Sequence, residues 1–280
     1  MTTAEALRDA ESRLRAAGIS DARLEAEVLL GHALQLSRST LLARLRETLG
    51  SEARTAFGAL LRRRLASEPT AYIIGRKEFY GLELACTPAA LIPRPETELL
   101  VEYALSRLRG PRPSIVDVGT GNGAIAVALA VHLPGARITT VDTSRLALAL
   151  ACRNAEAHAV DDQIAFVQGS LLTPVRGRFD LIVTNLPYIP SRTYATLPPE
   201  IREHEPETAL HAGRRGTVMI EALLAQATAH LQPDGLLLAE HAWNQGKQLR
   251  DAARVAFPNG AVETKRDLAD RERMLVVEMR

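Results

Sequence analysis

Over residues 3–66, apolar side chains recur three and four positions apart: Leu24, Val28 and Leu29, then Leu41, Leu42 and Leu45, then Phe57, Leu60, Leu61 and Leu65. That spacing lays one apolar stripe along each of several helices, and it predicts a small helical bundle over residues 1–70. Breaks fall at AAGISDA and LGSEAR, where Gly18 and Gly50 can end one helix and Ser20 and Ser51 can cap the next. The run Arg62, Arg63, Arg64 is placed at the end of the last helix, where cations complement the helix dipole. Residues 71–95 change character. Aromatic and β-branched residues gather around Gly75 and Gly81, which predicts a β-hairpin linker. In the next stretch Pro95 suits a helix N-terminus, with Glu96 and Glu98 in its first turn.

Beyond Pro111 the period changes again. Short continuous apolar runs (SIVDVG, RITTVD, IAFVQG, FDLIVTN, GLLLAEHA) alternate with helical stretches, and two further strands are expected near residues 261–264 and 274–279. Strands buried on both faces lose their polar alternation. The expected fold class is therefore α/β: a doubly wound, Rossmann-like sheet over residues 96–280, preceded by the all-α region and the hairpin.

Composition narrows the function classes. A net charge of +1 and an aromatic content of 4% in 280 residues give neither the basic field nor the stacking surface of a nucleic-acid binder. The first residues are acidic where a signal peptide is basic, and no apolar run approaches the roughly 20 residues of a membrane span. A cytoplasmic protein with no membrane contact is expected. Cys86 and Cys152 stand far apart, without metal-ligand spacing, so both are read as core residues and no metal is expected.

The chemistry concentrates at strand ends. VDVGTGNGAIA places Gly119, Gly121 and Gly123 between the first strand of the sheet and its helix, where backbone amides can face a ligand. Asp142 closes the next strand about 20 residues on, the position of an acid that grips ribose hydroxyls; alone, it reads nearly as well as a helix N-cap. Together they point to an adenosine-type ligand. FDLIVTNLPYIP then delivers Asn185 to the crevice at the strand ends. A planar NH2 group needs acceptors for its hydrogens, and the Asn185 carboxamide oxygen and the Leu186 carbonyl can supply them. Pro187 stiffens the turn, and Tyr188 offers a flat face to the substrate group.

The glycine turn, the ribose acid and Asn-Leu-Pro-Tyr resemble class I methyltransferases that modify planar nitrogens. EPTAYIIGRKEFYGLEL, LIPRPETELLVEYAL, EPETALHAG and RDLADRERMLVVE narrow the resemblance to the PrmC/HemK family of protein-(glutamine-N5) methyltransferases. It spans nearly the whole chain, and LIPRPETE is its most specific element. The resemblance implies a seven-stranded methyltransferase domain, S-adenosyl-L-methionine as methyl donor, and the glutamine of the Gly-Gly-Gln loop of peptide-chain release factors as acceptor. It implies cofactor contacts from Asp117, Gly119, Thr120, Gly121, Asn122, Gly123, Asp142, Leu171 and Asn185. It further implies substrate contacts from Asn185, Leu186, Pro187 and Tyr188, with Asn185 and Tyr188 at the chemistry, and a monomeric enzyme whose helical region meets the protein substrate. Departures from the family pattern are Leu186 for a proline, Ser170 for an acid, Arg214 and Arg215 where an acid is usual, and His241 with Ala242 for Ile-Gly; His241 is read as a partly exposed structural residue. Adenine-N6 methylation of nucleic acid, glutamine methylation of a ribosomal protein, and a non-catalytic sensor of the cofactor are the alternatives.

Overall fold

A computed structural model describes residues 1–279, and the chain divides into two compact units, Met1–Gly75 with Pro199–His204, and Arg76–Pro198 with the residues from Glu205 on. The first unit is helical: α1 (Thr3–Ala16), α2 (Ala22–Leu34), α3 (Arg38–Ala43), α4 (Ser51–Leu65) and α5 (Thr70–Ile74). Thr2 and Glu5 start α1 with a reciprocal capping box. Ala6, Leu7, Ala10 and Leu14 then bury one face against Leu29, Leu30, Phe57 and Leu61.

Several expectations change in detail. Leu24 and Leu42 lie on exposed faces, because Ala22, Ala26 and Leu30 carry the buried stripe of α2. Ser20 is not a cap: Asp21 holds the N-cap position of α2 without a side-chain bond, and Gly50, rather than Ser51, holds that of α4. Arg64 is no solvated dipole partner. It is buried and ion-pairs with Glu25 at 3.2 Å and Glu200 at 2.8 Å, while Arg63 forms a two-pronged pair with Glu68.

The second unit begins with the hairpin β1 (Arg76–Phe79) and β2 (Leu82–Ala85), followed by α6 (Glu98–Arg107). The hairpin is more than a linker, since Phe79 and Leu84 are fully buried in the same core as α6. Then come β3 (Ser114–Val118), α7 (Ala124–His132), β4 (Arg137–Asp142), α8 (Arg145–Ala157), β5 (Ile164–Gln168) and β6 (Phe179–Thr184). The unit closes with α9 (Val218–His230), β7 (Leu231–Glu240), α10 (Gly246–Ala256), β8 (Ala261–Arg266) and β9 (Glu272–Glu278). The seven strands run in the order β5-β4-β3-β6-β7-β9-β8, all parallel except β9, which is antiparallel to both neighbours.

Side chains of successive strand residues point to opposite faces, and here both faces are covered. Ile115, Leu181, Val183, Leu236 and Leu238 join one core with α6 and α7, while Val116, Ile182, Leu237 and Ala239 join the other with α9 and α10. This two-sided burial is why the strands read as continuous apolar runs. It also fixes the residues that follow each strand: the face of Leu181 and Val183 continues to Asn185, and the face of Leu236 and Leu238 continues to Glu240. Cys86 is buried as expected, but Cys152 is half-exposed on α8, with its thiol bonded to Glu156.

Candidate active site

The strand order reverses between β3 and its neighbours β4 and β6, and a crevice opens there at the strands' C-terminal ends, as the geometry of an open parallel sheet requires. The chain leaves β3 through Gly119, Gly121 and Gly123, with φ of 73°, 57° and 83°, a region that residues with a Cβ enter only at a cost. Gly119 and Thr120 donate their N–H groups to the Val141 carbonyl at 2.7 and 3.1 Å, tying the turn to the end of β4. Space adds a second constraint. A Cβ on Gly119 would stand 3.0 Å from Leu186 Cδ2, and one on Gly123 would stand 3.0 Å from the Cβ of Ala151 on α8.

Asp142 accepts the Gly121 N–H at 2.9 Å on one carboxylate oxygen and the Ser144 N–H at 2.8 Å on the other. The N-cap of α8 is Ser144, not Asp142. Each carboxylate oxygen keeps a second lone pair, and Asp142 lines the cleft with Val141, Ser170 and Leu171. The amides of Gly119, Gly121 and Gly123 do not face a ligand as expected, since each is bonded within the chain, to Val141, Asp142 and Thr120 respectively. What the cleft offers is a carboxylate and apolar walls, which fit the adenosine part of S-adenosylmethionine: acid for the ribose diol, apolar surface for the base. Asp117 lies elsewhere. Fully buried beneath the turn, it accepts the Thr120 hydroxyl at 2.6 Å, and its second oxygen has no partner among the described residues. Burial pushes its carboxyl up to about 7, helped by the Asp142 charge and opposed by the Thr120 bond.

Across the reversal point, Asn185, Leu186 and Pro187 line the same cleft. Asn185 Nδ2 donates to Thr97 Oγ1 at 3.0 Å; Thr97 Oγ1 in turn donates to Glu240 Oε2 at 2.6 Å, and the Tyr188 hydroxyl donates to Glu240 Oε1 at 2.9 Å. Glu240 is buried, which raises its carboxyl above the usual range against the pull of these two donors. Burial, and next the Glu240 charge, raise the Tyr188 phenol as well, so it stays a donor at neutral pH. The backbone after Asn185 is held by Gln245, whose Nε2 donates to the Tyr188 carbonyl at 2.9 Å.

A third wall comes from LIPRPETE. Glu205, whose side chain is buried, ion-pairs with Arg94 and accepts the Ile92 N–H at 3.2 Å. Pro93, Arg94, Pro206 and Thr208 thereby reach the cleft together, which joins two of the sequence stretches quoted above into one structure.

Of the expected site residues, Gly119, Thr120, Gly121, Asn122, Asp142, Leu171, Asn185, Leu186 and Pro187 are brought together around one cleft. Asp117, Gly123 and Tyr188 do not line it. Asp117 supports the turn from below, Gly123 lets α8 approach closely, and the Tyr188 ring packs against the second core with its hydroxyl on Glu240. His241 is not partly exposed but fully buried, with Nδ1 bonded to the Ala242 carbonyl at 2.8 Å, Nε2 without a partner among the described residues, and its pKa lowered by burial. It follows Glu240 and takes the opposite face of β7, away from the Thr97 side. Sequence reasoning missed Thr97, Glu205, Glu240 and Gln245. The available signal was a polar residue ending an apolar run, LLLAEHA, and a threonine inside LIPRPETE.

Residues 5–75 match the family model for the PrmC N-terminal domain, and residues 95–196 match that for the methyltransferase small domain. A release factor glutamine methyltransferase of Moorella thermoacetica is 42% identical over 276 residues, covering 98% of this chain and 97% of its own. One from Deinococcus radiodurans is 39% identical, covering 98% of each chain. Among solved structures, a methyltransferase from Pyrococcus furiosus superposes with a TM-score of 0.54 at 19% identity over 72% of this chain and 91% of its own, a likeness of fold. The chain belongs to the PrmC family of release factor glutamine methyltransferases.

Proposed function

We propose that the protein transfers a methyl group from S-adenosylmethionine to the side-chain amide nitrogen of the glutamine in the Gly-Gly-Gln loop of peptide-chain release factors, in the cytoplasm where these factors act. The observation that carries this reading is Asn185, an amide at the end of β6 in the wall of a cleft that also holds the glycine turn and Asp142. S-adenosylmethionine, when bound, supplies the electrophilic methyl on a sulfonium. The chain's own residues do the rest.

The amide nitrogen of glutamine is a weak nucleophile because its lone pair is delocalised into the carbonyl. Asn185 Oδ1 and the Leu186 carbonyl accept its two hydrogens and hold the nitrogen at near-attack distance, on the order of 3–3.5 Å from the reacting carbon. The same acceptors interact more strongly as positive character grows on that nitrogen, so they favour the transition state over the ground state; once the N–C bond has formed, the surplus N–H proton passes to solvent. Pro187 limits the freedom of the backbone that carries them. Asp142 would hold the ribose diol of the cofactor, and Leu171 and Val141, which line the same cleft, would pack on its base. Asp117 and Thr120 keep the turn in shape beneath it.

The test offers labelled cofactor to purified release factor, ribosomal protein and RNA in parallel. Label on the release factor glutamine, with none on RNA, is the expected result. Label on adenine would replace this reading by nucleic-acid methylation, and label on the ribosomal protein alone would keep the chemistry but change the partner.

A further inference from the structure

We propose that Thr97 and Glu240 are positioning residues that decide which end of the Asn185 side chain faces the substrate. The inference rests on the reading of Asn185 as the acceptor for the substrate NH2. The two ends of a carboxamide are nearly equal in size and opposite in hydrogen-bonding sense. With Oδ1 turned to the cleft, Asn185 accepts from an incoming NH2; with Nδ2 turned there, it meets that group donor to donor. Nothing in the shape of the strand end distinguishes the two.

The polar chain beside Asn185 does, and its first member, Thr97, also lines the cleft. Glu240 receives hydroxyl donors on both oxygens, Tyr188 on Oε1 and Thr97 on Oε2. A threonine hydroxyl carries one proton, and while Glu240 is ionised, as its two hydroxyl donors favour, that proton is committed to the carboxylate oxygen 2.6 Å away. Only lone pairs of Thr97 Oγ1 then remain for its other neighbour. Asn185 must present Nδ2 to it, as it does at 3.0 Å, and Oδ1 is left for the cleft. The reversed amide would set two acceptors against each other beside the buried Thr97 and Glu240, losing a bond.

The fold builds this chain through register. Leu181, Val183 and Asn185 lie along one face of β6, and Leu236, Leu238 and Glu240 along the same face of the adjoining β7. Thr97 stands at the N-terminus of α6, the helix packed on that face. From the opposite side of the strand exit, Gln245 holds the Tyr188 carbonyl and accepts the Ala242 N–H at 2.9 Å, so the segment between Asn185 and Tyr188 is fixed at both ends.

A packing role for Thr97 and a positioning role make opposite demands on two substitutions. Thr97→Val keeps shape and loses the hydroxyl; Thr97→Ser loses the methyl and keeps the hydroxyl. The positioning role requires that Thr97→Val lower kcat for methyl transfer to a release factor by about tenfold or more, with little change in KM or cofactor affinity, while Thr97→Ser stays within about threefold of the parent. Glu240→Gln can accept only on one side-chain atom, so it should lower kcat alone but add less than about twofold in the Thr97→Val background, because the two residues act through one bond.

A second readout does not depend on turnover. In a 15N spectrum, the Asn185 side-chain amide is identified as the pair that disappears in Asn185→Ala. One of its protons should exchange slowly with solvent in the parent and in Thr97→Ser, and rapidly in Thr97→Val. Parental kcat in Thr97→Val, equal losses in the Ser and Val variants, or an amide proton equally protected in all three would each overturn the proposal. If the parent itself leaves release factor unmodified, the functional reading falls, and the amide protons alone decide the positioning role.

Discussion

The turn after β3 and the exit of β6 face one cleft, yet they are made of different materials. Backbone makes the turn: three glycines at positive φ, two N–H groups on the Val141 carbonyl, and a carboxylate 21 residues away that accepts the Gly121 amide. The exit is made of side chains from distant segments, with Asn185 meeting Thr97 across 88 positions and Thr97 meeting Glu240 across 143. A backbone-built site tolerates varied side chains but few added Cβ atoms. A site built from side chains depends in addition on hydrogen-bond direction, where one hydroxyl or one amide decides the outcome.

That contrast can be broken at either end. Asn185→Ala should give the largest effect, lowering the transfer rate by about 10²–10³, or ~2.7–4 kcal/mol, the size seen when a group serving the transition state is removed. Cofactor affinity measured by calorimetry should stay near parental; a parallel loss of affinity would merge the two halves into one. Asp142→Ala should weaken cofactor binding by ~1.5–3 kcal/mol, since a charge-assisted acceptor is lost and the Gly121 and Ser144 amides lose their partner with it. Unchanged affinity would remove Asp142 from the ribose role.

Gly123→Ala tests the backbone claim apart from the ligand. The new methyl needs positive φ and meets Ala151, so thermal unfolding should show a loss of about 1–3 kcal/mol. A variant as stable as the parent would mean that the turn and α8 move apart easily. Leu186→Pro should matter least. The Leu186 N–H makes no backbone hydrogen bond among the described residues, and the substituted residue keeps its carbonyl. Lost packing of the leucine on Gly119 should keep the change in rate within about tenfold, or 1.4 kcal/mol.

The same division explains what could be read from the chain. The sheet and the glycine turn were legible because their determinants are local: apolar runs of strand length, glycines at a strand end, an acid one unit later. Asn185 was legible through its strand, whose C-terminal residues must reach the crevice. Thr97 and Glu240 were not, because their roles arise from the order β6-β7 and from which face each strand end presents, and neither is written in a short window. Tyr188 and His241 were misplaced for the same reason. Each was read from the chemistry of its side chain, and the packing at the strand ends buried His241 and left Tyr188 half-buried with its hydroxyl on Glu240. The hairpin misled in the other direction, since two short strands around glycines look like a connector until Phe79 and Leu84 are seen in the core.

The most direct measurement is a crystal structure with S-adenosylhomocysteine and a short Gly-Gly-Gln peptide bound. The account predicts the ribose hydroxyls on Asp142, the glutamine NH2 shared between Asn185 Oδ1 and the Leu186 carbonyl, and Asn185 Nδ2 still on Thr97. A glutamine amide bound away from Asn185, or an Asn185 side chain reversed with Nδ2 toward the peptide, would contradict it.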